Sequence, residues 1–251
     1  MNKKSISTWW KRLLDKIGCV IGPGYSCYVC GMELEHPEYP VCERCQPEME
    51  RTGNNVCKKC GEPIAEDNDY CLDCKGKDRV FDCAKSCFVY NDASGKIVSD
   101  LKYNKHKYIA KFFAEEMYNK LKEFGTMPDI IVPVPITSKR FKQRGFNQSE
   151  LIAEELSKLS DNKLIVRTDL VVRDVDRLPQ AGLDRSARIV NLKGVFSVNG
   201  NEKLSGKTVV VIDDVFTTGS TISEVVLQLR KLKPKKIYAL TFAKTPANKI
   251  G

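Results

Sequence analysis

Residues 209–221 of this 251-residue chain read VVVIDDVFTTGST, and they decide the fold. Val209, Val210, Val211 and Ile212 form an unbroken β-branched run, the pattern of a parallel strand buried on both faces. Two adjacent carboxylates, Asp213 and Asp214, close the run. Thr217, Thr218, Gly219, Ser220 and Thr221 follow, and beyond them apolar residues recur at helical spacing. In an open α/β sheet, ligands sit at the carboxyl ends of the strands. Hydroxyls and backbone N–H groups at the start of the next helix favour a phosphate there. The carboxylates stand one step earlier, placed to accept hydrogen bonds from sugar hydroxyls or to approach a metal. A buried strand leading into an ordinary capped helix has no need of two adjacent acids. The combination points to a sugar phosphate.

Outward from this stretch, strand and helix patterns alternate. Residues 86–90 predict a short strand. Residues 107–124 predict a helix with Ile109, Phe112, Phe113, Met117 and Leu121 on one face. Residues 129–135 (DIIVPVP) predict a buried strand that ends in proline, with a loop after it. A helix is expected over 148–159, a strand over 164–172 and the acid-bearing strand over 208–214. Residues 221–232 carry Ile222, Val225, Val226, Leu229 and Leu232 at helical spacing, and 237–243 close the sheet. Such alternation predicts an α/β domain: a parallel sheet with helices on both faces.

Ahead of this domain lie four Cys-x-x-Cys pairs: Cys27/Cys30, Cys42/Cys45, Cys57/Cys60 and Cys71/Cys74. The block repeats, since CYVCG and CKKCG open its two halves and the glycine permits the tight turn that aims N–H groups at sulfur. Two thiolates two residues apart fit on one tetrahedral ion, and two such knuckles complete a closed structural site. The simplest pairing puts one zinc on Cys27, Cys30, Cys42 and Cys45 and another on Cys57, Cys60, Cys71 and Cys74. An interleaved pairing satisfies the spacing equally. Disulfides need an oxidising compartment, and no secretory signal precedes the motifs. Iron–sulfur ligation suits evenly paired knuckles less well, and redox pairs belong on a thioredoxin-like βαβ unit. His36 lies between two pairs whose four cysteines already fill a site. Cys19, Cys83 and Cys87 read as small buried residues.

Charge divides the chain near residue 80. Residues 1–80 hold 12 Lys/Arg and 13 Asp/Glu, leaving 41 − 12 = 29 and 32 − 13 = 19 for the remainder. The larger domain is thus basic, which suits a phosphate-rich ligand or nucleic acid. The expected domains are an N-terminal helical segment (1–26), a double zinc ribbon (27–80) and the α/β domain (81–251). A ribbon of this size has too little core to fold alone, so metal binding is part of its folding. Trp9 and Trp10 beside Lys11 and Arg12 suit a short helix packed on its own protein. No apolar run approaches the ~18 residues needed to span a bilayer, and the expected location is cytoplasmic.

Two further segments suit a pyrophosphate. Residues 136–148, ITSKRFKQRGFNQ, place Lys139, Arg140, Lys142 and Arg144 in one expected loop at a strand end, where arginine forks match phosphate oxygens. Residues 173–196 carry Arg173, Arg177, Gln180, Arg185 and Arg188, a polar stretch expected to form a hood over a ligand or an arm on nucleic acid.

The stretch VVVIDDVFTTGST resembles the 5-phosphoribosyl-1-pyrophosphate (PRPP) signature of type I phosphoribosyltransferases. That resemblance implies ribose contacts from Asp213 and Asp214, and 5-phosphate contacts from Thr217, Thr218, Gly219, Ser220 and Thr221. The whole chain resembles the ComF family of competence-associated proteins. The residues that carry this are the Cys-x-x-Cys repeat, LKY at 101–103, PVP at 133–135, RGFNQ at 144–148, QAGL at 180–183, Arg188, Asn191 and the PRPP signature. The segment SARIVNL at 186–192 departs from the more charged family context. The resemblance implies a cytoplasmic protein of natural transformation that acts on incoming single-stranded DNA, with a helicase-like ATPase as partner and magnesium accompanying PRPP. Neither His36 nor His106 stands out as a general base, and no residue is assigned a catalytic role. Two readings follow: a DNA-uptake factor that binds PRPP or a related ribose phosphate, and an active phosphoribosyltransferase acting on an unidentified acceptor.

Overall fold

The structure, a computed structural model, describes residues 26–34, 39–103, 109–173 and 194–247. The expected N-terminal helix, Cys19, His36, His106, Arg177, Gln180, Arg185 and Arg188 lie outside the described residues. The chain divides into two compact units, Met1–Gln46 and Pro47–Gly251. In the first, a knuckle turn closes as Gly31 N–H donates to Cys27 O at 2.7 Å and Cys27 N–H to Met32 O at 2.7 Å.

The second unit holds a five-stranded, all-parallel sheet. Its strands are β1 (Cys83–Val89), β2 (Ile130–Pro133), β3 (Ile165–Val166), β6 (Thr208–Phe216) and β7 (Lys236–Lys244), in the spatial order β1-β7-β6-β2-β3. Two short strands between them in sequence, β4 (Val171–Arg173) and β5 (Phe196–Val198), pair antiparallel in a separate ribbon. The helices are α1 (Asp92–Tyr103), α2 (Ile109–Leu121), α3 (Ser138–Arg144), α4 (Gln148–Leu159) and α5 (Ser220–Arg230). Val209, Val210, Val211 and Ile212 are all fully buried, each stabilising the fold by roughly 1.5–3 kcal/mol.

Successive side chains of β6 serve opposite faces. Val209 and Val211 join Ile222, Val225, Val226 and Leu229 of α5 in one core. On the other face Phe242 of β7 stacks on Phe113 of α2, ring centroids 3.8 Å apart. Helices therefore cover both faces, as the alternation predicts. Cys57, Cys60 and Cys74 belong to the α5-side core together with Phe81 and Ala84. The chain ahead of this second knuckle lies along β1: Val89 N–H donates to Glu50 O at 2.8 Å and Thr52 N–H to Cys87 O at 3.1 Å. Gly61, at φ +69°, makes the approach possible, since a Cβ there would stand 2.8 Å from Ala84 O.

Two expected elements differ. The strand expected over 164–172 is two pieces, β3 in the main sheet and β4 in the ribbon. Between them Arg167 forks onto Asp169, with both N–O distances 2.8 Å, and also pairs with Glu202 at 2.7 Å, turning the chain out of register. The expected basic loop is the helix α3. Thr137 Oγ1 accepts from Arg140 N–H at 3.1 Å at its start, and Gly145, at φ 79°, ends it. No residue of α3 is buried, so it shows no apolar periodicity. Helix α1 also escaped the sequence reading, because Gly95 interrupts its pattern. Asn91 Oδ1 accepts from Ser94 N–H at 3.0 Å and Ser94 Oγ from Asn91 N–H at 2.9 Å, a reciprocal cap. Cys87 is buried and Cys83 only half-buried. Among the described residues no helix is long and apolar enough to cross a membrane.

Candidate functional site

The acid pair lies at the carboxyl end of β6, with Asp213 in register opposite Thr241 of β7. Asp214 is 4% exposed. Its Oδ1 accepts from Val215 N–H at 2.9 Å, while Lys102 Nζ of α1 stands 2.5 Å from its Oδ2. Among the described residues no hydrogen bond of good geometry reaches that oxygen, so the Lys102 charge is its compensation. Asp213 Oδ1 accepts from Ser149 Oγ at 3.0 Å and from Asp214 N–H at 3.0 Å. Burial, and then the Asp214 charge beside it, push the Asp213 carboxyl up to about 7; Lys102 and the two hydrogen bonds pull the other way. The strand end thus carries, in Asp213, a carboxylate that is easily protonated.

The segment RGFNQ sets this geometry. Asn147 Oδ1 caps α4 by accepting from Ser149 N–H at 3.1 Å, and its Nδ2 donates to Val134 O at 3.1 Å. The cap fixes the first turn of α4 against the end of β2, which aims Ser149 at Asp213. Arg144 donates to Gln148 Oε1 at 2.8 Å and to Tyr103 Oη at 3.4 Å, its guanidinium 5.0 Å above the Tyr103 ring. Lys139, Arg140 and Lys142 stand exposed on α3. Arg173 lies in β4, its guanidinium 5.2 Å over the Phe196 ring. Lys102, Ser149, Lys244 and Glu62 were not among the expected site residues. LKY marks Lys102 only as a letter of a motif, Ser149 follows RGFNQ without belonging to it, and nothing local marks the others.

The loop after β6 turns at Gly219, whose φ of +77° and packing against the Phe216 ring exclude any side chain. Thr218 Oγ1 and Ser220 Oγ lie 2.6 Å apart, and Thr217 is exposed. These hydroxyls and the first N–H groups of α5 gather after the carboxyl end of β6, a chemistry that suits an anion. Behind the loop, Lys244 at the end of β7 stands 4.3 Å over the Phe216 ring and 3.0 Å from Glu62, which follows the knuckle glycine. Glu62 Oε1 accepts from Ala247 N–H at 2.8 Å. The second knuckle is therefore fastened to the rim of the acid pair's sheet. Between them opens a cleft of about 750 Å³, with Thr217, Thr218 and Phe216 on one side and Ile64, Tyr70 and Leu72 on the other.

The cysteines form two tetrads with consecutive pairing: Cys27, Cys30, Cys42 and Cys45, and Cys57, Cys60, Cys71 and Cys74. In each, the sulfurs lie within 4.8 Å of one another. Cys30 and Cys42 Sγ are 3.7 Å apart, and Cys60 and Cys71 Sγ 3.6 Å. A tetrahedral ion with Zn–S bonds of about 2.3 Å spaces its sulfurs roughly 3.8 Å apart, so both tetrads fit zinc. Cys42 N–H donates to Cys27 Sγ at 3.3 Å and Arg79 Nε–H to Cys74 Sγ at 3.2 Å, outer contacts that suit thiolates. Burial would raise the Cys57 thiol, but backbone N–H groups of Cys71, Cys60 and Lys59 outweigh it and hold it down at about 7.

Residues 102–250 match the Phosphoribosyl transferase domain family, and residues 20–75 match the Double zinc ribbon domain family. The chain is 30% identical to DNA utilization protein YhgH of Salmonella typhimurium over 208 residues, 79% of this chain and 88% of that one. It is 26% identical to Competence protein ComFC of Bacillus subtilis over 198 residues, 75% of this chain and 77% of that one. Among solved structures it is similar to a purine phosphoribosyltransferase from Pyrococcus horikoshii, at 19% identity over 53% of this chain and 80% of that one, with a TM-score of 0.34. The chain, with a double zinc ribbon ahead of its phosphoribosyl transferase domain, belongs to the phosphoribosyl transferase domain family and, within it, to the ComF group.

Proposed function

We propose that this protein binds PRPP, or a related ribose phosphate, with magnesium, and serves as a competence-associated factor that handles incoming single-stranded DNA. The observation that carries the ligand half is the Asp213–Asp214 pair set beside the hydroxyl loop 217–221, with one buried Asp214 oxygen compensated, among the described residues, by the Lys102 charge. Ribose hydroxyls would donate to Asp213 and Asp214. The 5-phosphate would take the hydroxyls and N–H groups of Thr217, Thr218, Gly219, Ser220 and Thr221. The pyrophosphate would fall to the turn after β2 and the cations beyond it, Lys139, Arg140 and Arg144. Magnesium would add the charge that a pyrophosphate needs. Lys102, freed from Asp214 as the cation or sugar arrives, would turn toward phosphate. A hood of Arg173, Arg177, Gln180 and Arg188 would cover the ligand or touch DNA.

The competence half rests on the names of the relatives. It carries the expectation of a cytoplasmic protein and of a helicase-like ATPase as partner. A second reading, active transfer of phosphoribosyl to an unidentified acceptor, is favoured by the 750 Å³ cleft beside the phosphate loop, within the range of small-molecule sites. Calorimetric titration of the zinc-loaded chain with PRPP and magnesium separates the two. Saturable heat that returns to baseline supports binding, and sustained heat with pyrophosphate release supports transfer. No heat at all would remove the ligand half.

A further inference from the structure

Helix α3, SKRFKQR, carries four cations and no acid in seven residues. Lys139, Arg140 and Lys142 are exposed, and among the described residues none of them pairs with a carboxylate. Phe141 sits between Arg140 and Lys142 with half of its surface open to water, at 50% exposure, and Tyr103 nearby is 66% exposed. Arg144 bridges the two rings' neighbourhoods, stacked 5.0 Å over Tyr103. Beside Phe141 lies a notch of about 350 Å³, lined by Pro133, Pro135, Ile136, Phe141, Lys142 and Glu150, among others. Exposed cations alone would describe a solvated helix. An uncovered aromatic ring among them, beside a notch that joins Pro133, Pro135 and Ile136 to the polar Ser138, Asn147, Glu150 and Thr168, is a different arrangement.

Phosphate chemistry alone would fit two sources, the pyrophosphate of a sugar phosphate or the backbone of a nucleic acid. The rings decide between them, because a pyrophosphate has nothing to stack on an exposed aromatic side chain. We propose that the face of α3, with Phe141, its notch and Tyr103, binds single-stranded DNA, a base stacking on Phe141 while Lys139, Arg140 and Lys142 hold phosphates. Stacking on aromatic side chains plus cations along the backbone is the general mode of single-strand binding. Bases within a duplex are stacked inside and do not reach such a recess. Glu150, its carboxyl pushed up by burial and then by Glu154, offers an acceptor to a base amino group at the notch wall. This inference rests on the strand-handling half of the proposal above and shares Lys139 and Arg140 with its pyrophosphate half; Phe141 and the notch belong to the strand alone. It places DNA on neither the zinc ribbon nor the hood.

The test uses the zinc-loaded full chain and fluorescence anisotropy with a labelled 20-mer of thymidylate, a 20-mer duplex and an abasic 20-mer. The expected result is tighter binding of the thymidylate strand than of either control. Phe141→Ala should weaken it by about ten-fold or more. Lys139→Gln with Arg140→Gln and Lys142→Gln should lower the slope of log K against log salt by about 2, three phosphates at roughly 0.7 each. All four side chains are exposed, and unchanged zinc content and melting temperature check that each variant folds. PRPP with magnesium, added as competitor, should weaken the hold of Lys139 and Arg140 on the strand but leave the preference for thymidylate over the abasic strand, which rests on Phe141. The proposal is overturned if the abasic strand binds as well as thymidylate, if both variants keep wild-type affinity and slope, or if PRPP displaces the strand while Phe141→Ala leaves it unaffected. Those outcomes assign the cations to pyrophosphate or the face to an acidic protein.

Discussion

Lys244→Met tests whether the second zinc knuckle is built into the α/β unit. The Lys244 side chain is 4% exposed and that of Glu62 11%, with 3.0 Å between Nζ and Oε2. Methionine preserves the length and apolar stem of lysine but removes its charge. Glu62 is then left as a buried carboxylate whose named partner is the Ala247 N–H at 2.8 Å. Removing one member of such a pair costs about 3–5 kcal/mol. The lost contact with the Phe216 ring, 4.3 Å from Nζ, would by itself account for about 0.5–2 kcal/mol. Because the two losses overlap, about 4 kcal/mol in total is expected. For a unit of this size that lowers the melting temperature by roughly 8–16 °C. Zinc should sharpen the effect, since a tetrathiolate site is anionic and Lys244 already acts on Cys60. The assay is differential scanning calorimetry of zinc-saturated protein at fixed zinc. The double variant Glu62→Gln/Lys244→Met, which buries no unpaired charge, should recover at least half of the loss. A single variant that melts within about 3 °C of wild type, or a double variant as unstable as the single, refutes the reasoning.

Metal analysis should return two zinc ions per chain, and Cys71→Ser should destabilise the Pro47–Gly251 unit whereas Cys42→Ser should leave that unit's melting unchanged, because Cys57, Cys60 and Cys74 lie in its core. Calorimetry with zinc quantitation reads both, and equal losses in the two variants would oppose this. Asp213 carries a pH signature: its carboxyl rises from 3.8 to about 7 on folding, so the folded chain holds the proton more tightly and stability falls as pH rises from about 4 to about 7, then levels off. Between pH 6 and 8, where the thiolates retain zinc, the wild type should lose stability relative to Asp213→Asn up to about pH 7 in urea titrations. Parallel curves would mean that folding does not raise the Asp213 carboxyl.

What the sequence made legible follows from how local the physics is. The β-branched run of β6 and the apolar stripe of α2 need no partner to be recognised, because burial on both faces or on one leaves its period in the chain. Cysteine spacing works likewise, since a chelating turn is a local object. Pairing of the knuckles was left open by spacing, and only the folded positions of Cys42 and Cys71 resolve it. Helix α3 was read as a loop because its stability comes from Thr137 and Gly145 at its ends, with no buried stripe. Lys102 and Asp214 are 112 residues apart in sequence, and Glu62 and Lys244 are 182 apart. Such ion pairs leave no periodicity, so the compensation of each buried acid could be seen only in three dimensions.

The near-identical openings of the two ribbon halves, CYVCG and CKKCG, conceal different physical duties. At the second, the knuckle glycine lies against Ala84 O of β1, the next residue pairs with the last lysine of β7, and three of the four cysteines share a core with α5. Zinc binding there must stabilise whatever holds β7 and the Phe216 ring in place, and the turn at Gly219 packs on that ring. A structural metal contributes its binding free energy to folding, and any ligand that binds only the native loop contributes its own. Two such ligands on one cooperative element strengthen each other by the same factor, whichever arrives first. On the proposed reading, zinc at Cys57, Cys60, Cys71 and Cys74 and a phosphate at residues 217–221 would thereby be coupled without touching. The ribbon's second half would on these grounds be a component of the proposed phosphate site, and an appended metal module would have had no reason to place a buried glutamate against Lys244.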